Sequence, residues 1–282
     1  MNIDRAQLEE FLALAIKEDV GDGDHTSLST IPADHIGKAR LIVKENGVIA
    51  GIEVAKMVFE KLDSKYKFTQ LLQDGDRVKN GDIAFYVECR TIALLQAERL
   101  VLNIMQRMSG ISSQTRLYVD KLQGLKTKVL DTRKTTPGMR LLDKYAVKVG
   151  GGENHRIGLY DMILIKDNHI DFAGGIELAI EKAYVYCKEL KKNLKIEVET
   201  RSIDDVKRVL AHGKVDRIML DNFTPVLTKE AVALINGTVE TESSGNITIE
   251  NIRDYAVCGV DYISIGALTH QIKSLDLSLK AC

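Results

Sequence analysis

The sequence predicts an α/β protein whose second part folds as a small, incomplete barrel, and three observations carry that prediction. Beyond residue 127, short apolar runs alternate with amphipathic helical stretches. The last four runs end at Glu199, Asp221, Glu242 and Gly266, in steps of 22, 21 and 24 residues. Each step has room for one strand, one helix and two short loops, the signature of a parallel sheet. In the run Ile196-Glu197-Val198-Glu199, the two carboxylates share one face of a strand and Val198 takes the other. A parallel sheet is covered on both faces. Two carboxylates do not suit packed helices, so they point to the inside of a barrel near its mouth. Six strands stand out in this part, which is why the barrel is expected to be incomplete.

The elements follow in order. Leu8, Phe11, Leu12, Ala15 and Ile16 mark one face of a helix from about Asp4 to Glu18. Gly21-Asp22-Gly23-Asp24-His25-Thr26 reads as a turn. It lacks the sixth-position glycine and the distal glutamate of an EF-hand, so it is not taken as a metal loop. Lys38 to Lys44 reads as a strand and Ile52 to Leu62 as a helix. Asp74-Gly75-Asp76 and Asn80-Gly81-Asp82 are turns around short strands. A long helix is expected from Thr91 to about Met108. The barrel strands are Lys128 to Leu130, Met162 to Ile165, Ile196 to Glu199, Arg217 to Leu220, Thr238 to Thr241 and Tyr262 to Ile265. Ser202-x-x-Asp205 opens a helix that Gly213 closes, Thr224-Pro225 opens the next, and Thr248 caps one that Gly259 closes.

Composition narrows the function. The chain has 282 residues, 45% of them hydrophobic, and a net charge of −1, so neither nucleic acid nor an anionic membrane is suggested as partner. Tryptophan is absent and aromatics are few, which disfavours a base-stacking surface. Four scattered cysteines without a Cys-x-x-Cys pair fit a reducing compartment, and the cytoplasm is expected. Charges at Asp4, Arg5, Glu9 and Glu10 argue against a secretory signal, and no run approaches a membrane span. No Walker loop or Gly-x-Gly-x-x-Gly fingerprint occurs, which argues against a P-loop ATPase and a Rossmann dehydrogenase.

A barrel carries its active site at the C-terminal ends of its strands. Those ends hold Asp131, Lys166, Glu199, Asp221, Glu242 and Gly266, a site with both signs of charge. Arg133 and Lys134, in Asp131-Thr132-Arg133-Lys134-Thr135-Thr136-Pro137-Gly138, suit a phosphate or a carboxylate. In Gly150-Gly151-Gly152-Glu153-Asn154-His155-Arg156 the glycines allow close backbone approach, and His155 and Arg156 offer donors. Lys166 suits a Schiff base, a phosphate contact or a salt bridge. Glu199 and Asp221 suit Mg2+, held through water, or sugar hydroxyls, or internal pairing with Lys and Arg. Ser243-Ser244-Gly245-Asn246 and Ser264-Ile265-Gly266-Ala267, after the last two strands, suit a phosphate.

Taken together these segments resemble the quinolinate phosphoribosyltransferase family. Matching pieces are Glu18 to Asp24, Ala97 to Asn103, Ser109-Gly110-Ile111, Asp131 to Gly138, Gly151 to Ile157, Ile165 to His169, Ile196 to Glu199, Leu220 to Phe223, Glu242 to Ile247 and Ile263 to Ala267, in family order over nearly the whole chain. The resemblance implies an N-terminal α/β sandwich domain over residues 1–108, with the tail 268–282 packed on it, and a C-terminal incomplete α/β (TIM-like) barrel over 109–267. It implies transfer of phosphoribosyl from phosphoribosyl pyrophosphate to quinolinate with decarboxylation, a step of de novo NAD biosynthesis. It also implies Mg2+ and a homodimer with shared sites, in some members assembled to a hexamer, with Arg99 acting in the neighbouring subunit's site. Arg99, Arg133, His155 and Arg156 fall at quinolinate-binding positions, and Thr132 is counted among the substrate-binding residues. Lys134 and Lys166 match residues near the reacting centre and the diphosphate, and Glu199 and Asp221 those near the ribose hydroxyls and the metal. Ser244, Gly245 and Asn246, with Ile265, Gly266 and Ala267, match the loops around the 5′-phosphate, although Asn246 stands where some members have a second glycine. Competing readings are a related transferase for nicotinate or another aromatic acid without decarboxylation, a Schiff-base aldolase built on Lys166, and a phosphate-binding regulator.

Overall fold

The computed structural model describes residues 4–282. The chain divides into two compact units, one formed by Met1–Arg116, Thr135–Gly151 and Leu268–Cys282, the other by Leu117–Lys134 and Gly152–Ala267.

The first unit opens with helix α1 (Arg5–Val20), whose Asp4 cap accepts the amides of Ala6 and Gln7, and α2 (His25–Thr30). The aspartate-rich turn before α2 has a capping job, because the Asp24 carboxylate accepts the Ser27 amide at 3.0 Å. Strands β1 (Ile36–Val43) and β2 (Gly47–Val48) precede helix α3 (Ile52–Leu62), and β3 (Lys67–Gln70), β4 (Arg77–Val78) and β5 (Ile83–Arg90) follow it. Helix α3 lies where its apolar spacing predicts. It turns Ile52, Val54, Ala55, Val58 and Phe59 inward and starts where Asp74 accepts the Ile52 amide at 2.9 Å. Ala39, Leu41 and Val43 alternate along β1 into the same core, where Phe68 and Phe85 lie 4.4 Å apart between ring centroids.

Helix α4 (Thr91–Lys121) runs on well past Met108, so the expected domain boundary at 108/109 falls inside it. Ser109, Gly110 and Ser112, beyond the expected end of the helix, act as packing residues. The Ser109 hydroxyl takes the Ala50 amide at 2.9 Å, and the Ser112 hydroxyl donates to the Ala146 carbonyl at 2.8 Å. Gly110 lets the backbone of Lys273 and Ser274 lie directly on the helix.

The second unit is a six-stranded, wholly parallel sheet. After β6 (Lys128–Leu130), the chain forms α5 (Arg140–Val149), which belongs to the first unit, and then β7 (Ile163–Ile165), α6 (Asp167–Ala173) and α7 (Ile176–Glu189). Alternation continues through β8 (Ile196–Thr200), α8 (Ile203–His212), β9 (Arg217–Asp221), α9 (Pro225–Ile235), β10 (Glu240–Ser244), α10 (Ile252–Ala256) and β11 (Tyr262–Ser264). The strand order is β6-β11-β10-β9-β8-β7, so the first strand pairs with the last. That wrap-around order is a barrel's, left open between β6 and β7. A single bridge from Leu130 to Glu153 extends the β6 edge towards the opening. Helices α6 to α10 pack in succession on one another.

Two expected boundaries moved. The strand expected at Thr238–Thr241 is β10, Glu240–Ser244, because the Thr238 hydroxyl donates to the Ile235 carbonyl at 2.8 Å and closes α9 instead. Glu242 therefore lies in mid-strand and not at a strand end. Helix α10 starts at Ile252, and Thr248 sits in the preceding turn with its amide on the Asn251 side chain at 2.8 Å. The Ser202 and Thr224 caps stand as read. A short helix, α11 (Ala267–His270), leads to β12 (Leu277–Ala281), which pairs antiparallel with β1 and completes a first-unit sheet of order β12-β1-β5-β3. No helix among the described residues is long and apolar enough to cross a membrane.

Candidate active site at the strand ends

The strand ends of the second unit carry most of the charged residues singled out from the sequence. Asp131, after β6, is fully buried and accepts the His155 amide at 2.9 Å and the Asn154 carboxamide at 2.6 Å. It anchors the 152–156 segment to the β6 edge and leaves Thr132, Arg133 and Lys134 to face outward, with the Thr132 hydroxyl taking the Lys134 amide at 3.1 Å. The Arg133 guanidinium makes no hydrogen bond or ion pair among the described residues. Arg156 donates to the Met162 carbonyl at 3.3 Å, and its pKa is lowered by burial and by the charge of Arg133. Two guanidiniums that repel each other at a strand end form a ready site for an anion.

Lys166, just after β7, places its Nζ 3.4 Å from the Glu199 carboxylate. Burial pushes the Glu199 carboxyl up, against the pull of Lys166 and with the nearby Asp221 adding to the rise. Asp221 ends β9, where its carboxylate accepts the Ser244 hydroxyl and the Asn222 carboxamide, each at 2.7 Å. Gly245 and Asn246 follow in left-handed conformation, φ 87° and 51°. After β11 the Ile265 amide donates to the Leu130 carbonyl at 2.9 Å, which sets Gly266 and Ala267 beside the end of β6. Arg99 belongs to the first unit, on the exposed side of α4, and its guanidinium also lacks a partner among the described residues.

His155 is placed differently from its sequence neighbours. Its side chain is 6% exposed and points into the barrel, with Nε2 3.0 Å from Glu197 and 3.3 Å from Glu242. Its Nδ1 lies 2.8 Å from the Arg156 amide, whose hydrogen it accepts only while the ring is neutral. Burial opposes a charge on the ring, but the two carboxylates outweigh it and hold the pKa up at about 9. Burial and Glu242 push the Glu197 carboxyl up to about 7. Arg217 completes the cluster, 3.1 Å from Glu242 and 3.8 Å from Glu197, with its guanidinium 4.1 Å from the centre of the Tyr262 ring. Glu197, Arg217 and Glu240 are paired in register on β8, β9 and β10. That register was the one signal that could have found Arg217, which sequence reasoning passed over together with Asn222. His155, Glu197 and Glu242 are close enough to share a metal ion, but Arg217 already supplies the cation there. Glu199 and Asp221, carboxylates on adjacent strand ends, fit Mg2+ better as hard oxygen donors.

An open parallel barrel that gathers guanidiniums, a lysine, two acids and glycine turns at its strand ends defines an enzyme class acting on anionic, phosphate-bearing substrates. Residues 24–109 match the family described as "Quinolinate phosphoribosyl transferase, N-terminal domain", and residues 111–280 match "Quinolinate phosphoribosyl transferase, C-terminal domain". The chain is 45% identical to a mitochondrial quinolinate phosphoribosyltransferase [decarboxylating] of Nicotiana tabacum, across 97% of this chain and 82% of that protein. It is 41% identical to a probable nicotinate-nucleotide pyrophosphorylase [carboxylating] of Bacillus subtilis, across 97% of this chain and 93% of that one. The crystal structure of NadC from Streptococcus pyogenes superposes with a TM-score of 0.93 at 39% identity, covering 100% of this chain and 99% of that one. The chain belongs to the quinolinate phosphoribosyltransferase family.

Proposed function

We infer that the protein transfers a phosphoribosyl group from phosphoribosyl pyrophosphate to quinolinate and releases carbon dioxide, giving nicotinate mononucleotide and pyrophosphate for NAD synthesis. The observation that carries the reading is the cluster of charges around the strand ends: exposed Arg133, which has no partner among the described residues, together with Arg156, Lys166, Glu199 and Asp221. Quinolinate has carboxylates on adjacent ring carbons, and a pair of guanidiniums can hold both. Thr132 lies in the same loop. His155 lies below Arg156, with its Nε2 between Glu197 and Glu242 and its Nδ1 against the Arg156 amide.

Lys134 and Lys166 meet the negative charge of the sugar donor. Glu199 and Asp221 face the ribose, where they accept hydroxyl hydrogen bonds and stabilise the positive charge that builds on the ribose carbon as pyrophosphate departs. The same two carboxylates would hold Mg2+, which when bound neutralises diphosphate charge. The Gly245–Asn246 turn and the Ile265–Ala267 segment hold the 5′-phosphate. The pyridine nitrogen of quinolinate attacks the ribose carbon. Once quaternised, the ring accepts the electron pair released when the neighbouring carboxylate leaves as carbon dioxide. The protein's main contribution is positioning and preorganised charge. We place the enzyme in the cytoplasm, a reading its free, unpaired cysteines support. We assign it a homodimer in which Arg99 completes the neighbouring subunit's site, supported by the exposure of that arginine.

Lys166 argues against the aldolase reading. A Schiff-base lysine is desolvated, whereas this side chain is 48% exposed and paired with Glu199. The deciding experiment incubates the protein with quinolinate, phosphoribosyl pyrophosphate and Mg2+ and measures carbon dioxide and nicotinate mononucleotide together. Equal amounts of both are expected. Neither product from folded protein would overturn the assignment, and nucleotide formed from nicotinate but not from quinolinate would move it to the non-decarboxylating relative.

A further inference from the structure

Asn222 makes contacts that no catalytic step above uses. It follows the last residue of β9, and its amide donates to the Ser244 carbonyl at 2.8 Å, continuing the β9–β10 pairing by one residue. The backbone then turns left-handed, φ 56°, which few side chains other than Asn tolerate. From there the carboxamide reaches two ways. Its Nδ2 donates to the Asp221 carboxylate at 2.7 Å, and its Oδ1 accepts from the Asn246 carboxamide at 3.0 Å. The orientation is settled by chemistry, since the reversed amide would set an oxygen against a carboxylate. Gly245 completes the fit, because a Cβ there would overlap the Asn222 carboxamide. On the far side the Asn251 carboxamide donates to the Asn246 carbonyl at 3.3 Å.

We propose that Asn222 is a positioning residue that ties the Asp221 carboxylate to the Gly245–Asn246 turn, so that the ribose hydroxyls and the 5′-phosphate are read by one rigid unit. This rests on the sugar-donor reading given above. No other residue type meets the demands of the position. Gly would keep the backbone but lose both contacts. Asp would keep the acceptor but set a second carboxylate against Asp221. Asn246 becomes part of a coupled pair with Asn222, and a glycine at 246 would leave Asn222 half engaged. The consequence falls on the sugar donor and not on the aromatic acid.

The test compares Asn222→Gly, Asn246→Gly and the double variant, all of which permit the left-handed backbone and can be checked for folding by their melting curves. Wild-type turnover of quinolinate with phosphoribosyl pyrophosphate is measured first, and its absence would sink the function reading and not this inference alone. Given that turnover, Asn222→Gly is expected to raise KM for phosphoribosyl pyrophosphate about tenfold, the size of one lost hydrogen bond to a charged group. KM for quinolinate should stay within about twofold. The double variant should be no worse than Asn222→Gly, because the Asn246 contact is already gone. An unchanged donor KM, an equal rise in both KM values, or additive effects of the two substitutions would each overturn the proposal.

Discussion

His155 sits with 6% of its side chain exposed between two carboxylates that favour its charge, against burial and against the Arg156 amide, which Nδ1 can accept only in the neutral ring. A base whose pKa stands at about 9 in the folded protein, above its free value of about 6.5, binds its proton more tightly when folded. Its contribution to stability is complete below about pH 6.5 and is lost as the pH rises to about 9. Urea unfolding of the wild type should show stability falling across that window. His155→Gln should flatten the fall while lowering stability by about 3 kcal/mol at pH 6.5, since Glu197 and Glu242 then share Arg217 alone. An equally steep fall in the variant would show that another group titrates. This residue also marks where sequence reading stopped. Arg133, Lys166, Glu199 and Asp221 were legible because each lies within a few residues of a strand end, a place the βα period locates. The direction of the His155 ring was not, because it depends on curvature that brings β8, β9 and β10 around to the 152–156 segment.

Helix α4 shows the same division at the scale of an element. Its first half is periodic and apolar and could be read directly. Its second half contains Ser109, Gly110, Ser112 and Ser113, small residues whose place in the helix shows only in their partners on other elements. Helices α3 and α8 were legible end to end, and the start of α9 was legible from Thr224-Pro225, because apolar spacing and local capping signals agree there. For β10 they did not, since Thr238 reads as a strand former but closes α9. Gly110 makes the point testable, because two effects compete there. Glycine inside a helix costs about 1 kcal/mol relative to alanine, so Gly110→Ala would ordinarily stabilise. Here the added Cβ would overlap the Lys273 carbonyl, a backbone group that cannot swing aside. Overpacking of this kind costs about 1–3 kcal/mol and should decide the sign. Chemical denaturation is expected to show net destabilisation, and a gain in stability would mean that the 273–274 segment yields readily.

For the whole molecule the decisive residue is Arg99, an exposed cation on α4 in the first unit, with no partner among the described residues. A surface arginine of that kind is ordinary in isolation. It gains meaning because the proposed reaction gathers two carboxylates and a diphosphate, and an anion-rich site gains from one more guanidinium. If Arg99 serves the neighbouring subunit, a two-fold dimer has a definite arithmetic. An Arg99→Ala homodimer and a Lys166→Ala homodimer are each inactive, since every site lacks one group. In a hybrid dimer of the two, one site carries both defects and the other carries none. Hybrids isolated with two different affinity tags should therefore recover about half of the wild-type rate per dimer. If Arg99 serves its own subunit, each site of the hybrid keeps one defect and no activity returns. Full activity in the Arg99→Ala homodimer would instead remove Arg99 from the reaction altogether, leaving Arg133 and Arg156 to hold both quinolinate carboxylates by themselves.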